Sequence, residues 1–203
     1  MYDLIIIGFG KAGKTLAAQA AQEDLRVAII EENPQRYGGT CINVACLPTK
    51  HLVEKAKLRS KMLAQGMERD REYDLAYYQR AIASKNEMTA RLRQKNYDKL
   101  ASLPTVSVID GRASLVAADT VRVERPEGAS GDLQARAIVI NTGSEPKLPD
   151  IPGVEEHPRV VTSESLMELD RLPERLAIVG GGFVGLEFAS MYAGFGSEVT
   201  VLH

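Results

Sequence analysis

Leu4-Ile5-Ile6-Ile7-Gly8-Phe9-Gly10-Lys11-Ala12-Gly13 is the stretch on which the fold turns. Its first four residues form an unbroken apolar run, the pattern of a strand covered on both faces. The run enters a G-x-G-x-x-G turn, and the alanine-rich segment through Gln22 predicts a helix. Arg26–Ile30 predicts a second strand ending at Glu31, 23 residues beyond Gly8. A bare G-x-G-x-x-G is weak, but here strand, turn, helix, strand and terminal acid occur in order. Such glycines let backbone approach a pyrophosphate at the helix N-terminus, and such an acid accepts ribose hydroxyls. The segment therefore predicts a dinucleotide site.

Next comes Gly38-Gly39-Thr40-Cys41-Ile42-Asn43-Val44-Ala45-Cys46-Leu47-Pro48-Thr49-Lys50, which holds both cysteines of the chain. Two readings stand side by side: reactive thiols, or two buried cysteines acting as small hydrophobes. On a regular helix, residues five apart diverge by roughly 140°, so their sulfurs could not meet. Pro48 lacks an N–H and clashes with the carbonyl of Val44. Cys41 is accordingly expected at or just before the start of a helix bent through Val44–Pro48. A thiol at a helix N-terminus favours the thiolate, and Lys50 is expected to add to that.

With 203 residues, 44% hydrophobic and 26% charged, the chain has ordinary globular composition. A net charge of −2 gives no footprint for nucleic acid or an anionic membrane. No apolar run approaches the ~20 residues of a membrane span, and Leu4–Ile7 is too short for a secretory signal, so a cytoplasmic protein is expected. Thr49–Gln65 predicts a helix continuing from the bend. The spacing of Leu75, Tyr78, Ile82, Leu92 and Leu100 predicts a second, charge-rich helix up to Leu103-Pro104. Val106–Ile109, Ala113–Val116, Thr120–Glu124 and Leu133–Ile140 predict strands, with a hairpin turn at Arg125–Gly128. Ser144–Pro173, rich in proline and acidic residues, is expected to be a linker.

Leu176–Val179 then leads into Gly180-Gly181-Gly182-Phe183-Val184-Gly185, a helix from about Leu186 and a strand, Glu198–Leu202. Gly180, Gly182 and Gly185 repeat Gly8, Gly10 and Gly13 at an offset of 172, with His203 in the place of Glu31. One helix and two parallel strands cannot cover both faces of a sheet, so this second unit is expected to be incomplete.

The cysteine string closely resembles the redox motif of the class I pyridine nucleotide-disulfide oxidoreductases, which include glutathione reductase, dihydrolipoamide dehydrogenase and mercuric reductase. The resemblance extends over essentially the whole chain. It implies an α/β architecture: a Rossmann-like FAD-binding domain with a β-meander insertion over residues 1–146, then the start of a Rossmann-like NAD(P)-binding domain over 147–203. It further implies that Gly8, Gly10, Lys11, Ala12, Gly13 and Glu31 hold the adenosine-diphosphate half of FAD, with Gly39 and Thr40 against the cofactor. Ala113 resembles the adenine-contacting position and Thr142-Gly143 a second FAD contact. Gly180, Gly182, Phe183, Val184 and Gly185 would receive NADH or NADPH. Cys46 corresponds to the sulfur facing the flavin and Cys41 to the interchange thiol, together a redox disulfide. Lys50 resembles the lysine near the flavin ring, paired with a glutamate represented by Glu187. No metal site is assigned. Electrons would pass from nicotinamide through flavin to the disulfide and on to an acceptor.

Gly8–Ala17, Lys95-Asn96, Val108–Gly111 and Arg125–Gly128 resemble a mercuric-reductase-like branch that confers resistance to reactive chlorine and acts on copper(II). The expected acceptor is therefore a metal ion or oxidant-stress substrate. The alternatives are a dihydrolipoamide- or glutathione-type disulfide reductase, or an inactive nucleotide-binding fragment. Family members carry a C-terminal acid-base histidine with a glutamate partner and form homodimers; His51, His157 and His203 are not in that context and are expected to lie at the surface or a frayed end. Ala45 replaces the usual glycine before the second cysteine, and Phe183 stands where several relatives have a tyrosine gating the nicotinamide pocket.

Overall fold

The computed structural model describes residues 1–154 and 157–203. In chain order, β1 (Tyr2–Ile7) is followed by α1 (Lys11–Gln22), β2 (Val27–Glu31), a short 3-10 turn (Pro34–Arg36), α2 (Thr40–Asn43) and α3 (Cys46–Ala64). Then come α4 (Arg71–Ala101), β3 (Val106–Asp110), β4 (Arg112–Ala117), β5 (Thr120–Glu124) and β6 (Ser130–Ile140). The last elements are α5 (Ser163–Leu166), β7 (Arg175–Val179), α6 (Phe183–Phe195) and β8 (Glu198–Leu202). No helix among the described residues is long and apolar enough to cross a membrane.

The chain divides into two compact units, residues 1–46 with 89–144, and residues 47–88 with 145–203. Sequence places a single cut at 146/147, whereas the segment 47–88 groups with the second half. The first unit is a six-stranded sheet in the order β3-β2-β1-β6-β5-β4. β1 pairs in parallel with β2 and β6, and β2 with β3. β6 serves two roles: Ser130–Gln134 pairs antiparallel with β5, and Ala135–Ile140 continues in parallel with β1. The meander thus grows from the same strand that closes the parallel sheet. Alternation distributes the apolar run of β1 to two cores. Leu4 and Ile6 pack with Phe9, Ala17, Val27 and Ile29, while Ile5 packs with Ala28, Ile30, Val121 and Val123. Burial on both faces explains why the strand carries no polar alternation.

In the second unit, α3 and the first half of α4 pack with α5 and α6 around Leu52, Ala56, Tyr78, Phe188, Tyr192 and Phe195. Gly194 permits the approach, since a Cβ there would lie 3.1 Å from that of Ala56. The linker expectation for Ser144–Pro173 holds only in part. Thr162 caps α5 through a capping box, and Leu166, Met167 and Leu172 are core residues. Apolar burial recruits the end of this stretch despite its proline and acid content; its residues 155 and 156 lie outside those described. Arg59 and Asp74 form a buried ion pair at 2.6 Å, with Arg69 against the second carboxylate oxygen.

Candidate active site

The glycine turn after β1 exists because backbone comes closer than a side chain allows. Gly8 has φ +101°, and a Cβ there would lie 2.3 Å from the carbonyl oxygen of Asn141. At Gly13 the same atom would meet Asn141 Nδ2 at 2.6 Å and Ile6 Cγ2 at 2.8 Å. Asn141, just past β6, locks the turn by donating from Nδ2 to the Gly8 carbonyl at 3.0 Å. Gly10 caps α1 without a side-chain partner, so the N–H groups of Lys11, Ala12 and Gly13 form an open donor cradle. Glu31, only 9% exposed, accepts from the Phe9 N–H at 2.9 Å and the Asn33 N–H at 3.2 Å. Each oxygen retains acceptor capacity. Gly111 donates its N–H to the Glu31 carbonyl at 2.9 Å, which sets Ala113 on β4 close after the end of β2.

The cysteine segment joins this cradle directly. Gly38 and Gly39 take φ +93° and +75°, and a Cβ on Gly39 would stand 2.5 Å from Gly10 Cα. Thr40 is exposed next to Gly143, whose Cβ would lie 3.7 Å from Thr40 Oγ1. Asn43 braces the turn, donating from Nδ2 to the carbonyls of Tyr37 and Gly39, both at 3.0 Å. Arg93 Nε in turn donates to Asn43 Oδ1 at 3.0 Å.

The helix expected to bend is instead interrupted. α2 is a single turn; the N–H groups of Val44 and Ala45 both reach the Thr40 carbonyl at 2.9 Å, and α3 starts afresh at Cys46. Pro48 sits third in α3, where its missing N–H would have had no helical partner. The interruption removes the divergence of a regular helix, and Cys41, half-buried, and Cys46, exposed, are free thiols. The neighbouring Cys46 thiol, then burial, push the Cys41 thiol above its ordinary pKa, against the expectation of a thiolate favoured by a helix terminus. A single turn has too few aligned peptide dipoles to reverse this. The cations that oppose the rise are Lys11 and Lys14 on α1, not Lys50.

In the second unit the glycine architecture recurs. Gly180 has φ +110°, Gly182 caps α6 without a side-chain partner, and a Cβ on Gly185 would lie 2.1 Å from the Gly180 carbonyl oxygen. Phe183, the first residue of α6, is 98% exposed, and Val184 beside it is exposed too. His203 lies with its ring against the turn, 3.0 Å from where a Gly181 Cβ would be. Lys50 and Glu187 are both exposed, on α3 and α6. His51 is no simple surface residue: its Nε2 is buried without a partner among the described residues, and burial, then Lys55, lower its pKa.

Sequence reasoning did not single out Asn141, Arg93 or Lys14 as site residues. Asn141 and Arg93 act through contacts 133 and 50 residues distant in sequence, which no local pattern carries. Lys14 had one short-range signal, its place one helical turn beyond Lys11.

The profile of the pyridine nucleotide-disulphide oxidoreductase family matches residues 2–203. A probable pyridine nucleotide-disulfide oxidoreductase, RclA of Escherichia coli, is 45% identical over 99% of this chain and 42% of its own length. The mercuric reductase of Lysinibacillus sphaericus is 35% identical over 99% of this chain and 36% of its own length. A solved Cu(II) complex of the E. coli HOCl-induced flavoprotein disulfide reductase RclA has a TM-score of 0.89 at 45% identity, covering 100% of this chain and 42% of that one. The chain thus spans less than half the length of these relatives.

Proposed function

This chain belongs to the pyridine nucleotide-disulphide oxidoreductase family, and from that membership we propose that it forms the flavin- and dithiol-bearing part of an NAD(P)H-driven reductase. The observation that carries this reading is the contact of Gly39 with Gly10, which puts the cysteine segment against the dinucleotide cradle within one unit. The cradle suits FAD: open helix N–H groups for a pyrophosphate, a carboxylate with spare acceptor capacity for ribose, and no Cβ to obstruct the approach. Bound FAD would supply the two-electron carrier that links nicotinamide to the dithiol.

The chain's own residues divide the remaining work. Gly8, Gly10 and Gly13, with the N–H groups of Lys11 and Ala12, cradle the pyrophosphate, and Glu31 orients the ribose. Gly39, Thr40, Ala113, Thr142 and Gly143 border the cofactor. Cys46 is the sulfur that faces it, and Cys41 is the thiol that meets the acceptor. Lys50 and Glu187 carry the flavin-ring roles that the family resemblance gives them. Gly180, Gly182, Phe183, Val184 and Gly185 form the cradle for NADH or NADPH, supported by the same open helix start. When the acceptor oxidises the dithiol, each sulfur loses a proton and one electron and the S–S bond forms.

The acceptor we favour is copper(II) or another oxidant-stress substrate, and the cytoplasm is the compartment; the whole enzyme acts as a homodimer and needs neither nucleic acid nor membrane. The similarity to a reductase solved with Cu(II) supports the choice of metal, while the dihydrolipoyl dehydrogenases among the relatives keep lipoamide as the competing acceptor. FAD titration of the purified protein tests the core of the reading. Bound flavin absorbance that bleaches with dithionite, followed by gain of two titratable thiols from the oxidised protein, is the expected result. Colourless protein that takes up no FAD refutes it. NAD(P)H oxidation by the whole enzyme with copper(II), lipoamide or glutathione disulfide then ranks the acceptors; indifference to copper(II) overturns that choice.

A further inference from the structure

α1 contributes more to the site than the donors at its N-terminus. Lys14, half-buried, donates from Nζ to Asn96 Oδ1, and Asn96 on α4 lies against Gly38, with its Cγ 3.5 Å from where a Cβ on that glycine would be. Gly38 and Gly39 are the residues that present the single turn carrying Cys41. Gly39 also touches Gly10, one turn before Lys14 on the same helix axis. An ammonium that would otherwise sweep a wide arc is thereby tethered to a residue that lies against Gly38, three residues before Cys41. The flexible stem of lysine makes such a tether consequential, because a fixed charge acts more strongly than a mobile, fully hydrated one.

The geometry points to Lys14 as the cation that steadies the Cys41 thiolate when the dithiol is reduced, positioned for this by Asn96. The inference rests on the redox reading of the cysteine pair, and it assigns the thiolate a partner from outside the cysteine motif. Cys46 bears on Cys41 directly, and Lys11 and Lys14 act on it from α1; burial lowers the Lys14 pKa, Cys41 raises it, and Lys11 with Lys99 of α4 lower it again. Lys11 and Lys99 are exposed, so solvent and salt weaken their reach, whereas Lys14 is partly shielded. On ionisation Cys41 gives its proton to water, and the ammonium balances the charge left on sulfur.

The test reads the thiol itself and needs no flavin. Reduced protein is treated with iodoacetamide, in which thiolate sulfur displaces iodide and forms a C–S bond, and peptide mass spectrometry separates Cys41 from Cys46 across pH. Lys14→Met is expected to slow Cys41 modification by about threefold to tenfold near neutral pH and to move its pH profile upward. Lys14→Arg is expected to stay within about twofold of the parent, since it keeps the charge. Asn96→Leu is expected to fall between the two. An unchanged Cys41 profile in Lys14→Met overturns the assignment, and so does equal slowing by Met and Arg, which marks a merely structural role. Should Lys14→Met lose its circular dichroism, Lys14→Gln decides by the same profile: slowed Cys41 modification is expected, and an unmoved profile overturns the assignment. Failure here leaves flavin uptake untouched, whereas failure of the wider reading is seen in the FAD titration.

Discussion

Gly39→Ala puts the junction of cysteine segment and nucleotide cradle under a single measurable load. Gly39 has φ +75° and ψ −169°, a conformation that L-residues rarely adopt. Holding alanine there costs about 1–3 kcal/mol. Its Cβ would also stand 2.5 Å from Gly10 Cα and 3.4 Å from Gly10 C and Lys11 N. These are backbone atoms that cannot rotate away, so the overlap adds about 1–3 kcal/mol. The combined expectation is roughly 3 kcal/mol, equivalent to about a 150-fold rise in the open population. Gly128→Ala is the matched comparison within the same unit: φ is +87°, but none of the described residues lies within 4 Å of the new Cβ. It bears the conformational cost alone, about 1 kcal/mol, or roughly fivefold. Hydrogen-exchange mass spectrometry on peptides spanning residues 8–16 and 36–46 reads the difference. Loss of protection confined to those peptides, and far greater for Gly39→Ala, is the expected pattern. Equal protection in the two variants would show that the glycine is not demanded by the approach to Gly10, and the argument for a joined site would fall with it.

Two further tests probe the supports of the site. Asp74→Ala strands Arg59, whose side chain is fully buried, and is expected to cost about 3–5 kcal/mol in urea unfolding of the second unit; a loss under 1 kcal/mol would mean that water reaches the guanidinium. The raised pKa of Cys41 means that the folded state holds its proton more tightly than the unfolded chain does. The stability this provides is present in full below the unfolded thiol value and is lost as pH climbs through the raised folded one. Stability of the first unit should therefore decline above about pH 8.5, and Cys46→Ala, which removes the chief cause, should flatten that decline and lower the Cys41 alkylation midpoint. A midpoint unmoved by Cys46→Ala would assign the rise to burial instead.

Much of this protein could be read from its sequence. The apolar run of β1, the glycine spacing and Glu31 specify a strand–turn–helix–strand unit because each signal is local: period, positive φ and helix start lie within one window. The repeat at Gly180–Gly185 was legible for the same reason. Other features depended on the folded chain. Sequence could say that Cys41 and Cys46 cannot meet on a regular helix, but only folding reveals that the helix breaks and restarts at Cys46. Nor could it say that the neighbouring Cys46 thiol, then burial, outweigh any helix-end effect on Cys41, since that balance depends on the folded surroundings. The locks on the site, Asn141 on Gly8 and Arg93 on Asn43, and the tether of Lys14 by Asn96, bridge 133, 50 and 82 residues. Hydrophobic period and turn chemistry act over a few residues and set the elements. Which side chains come to bear on a thiol is decided only when distant elements share one packed core.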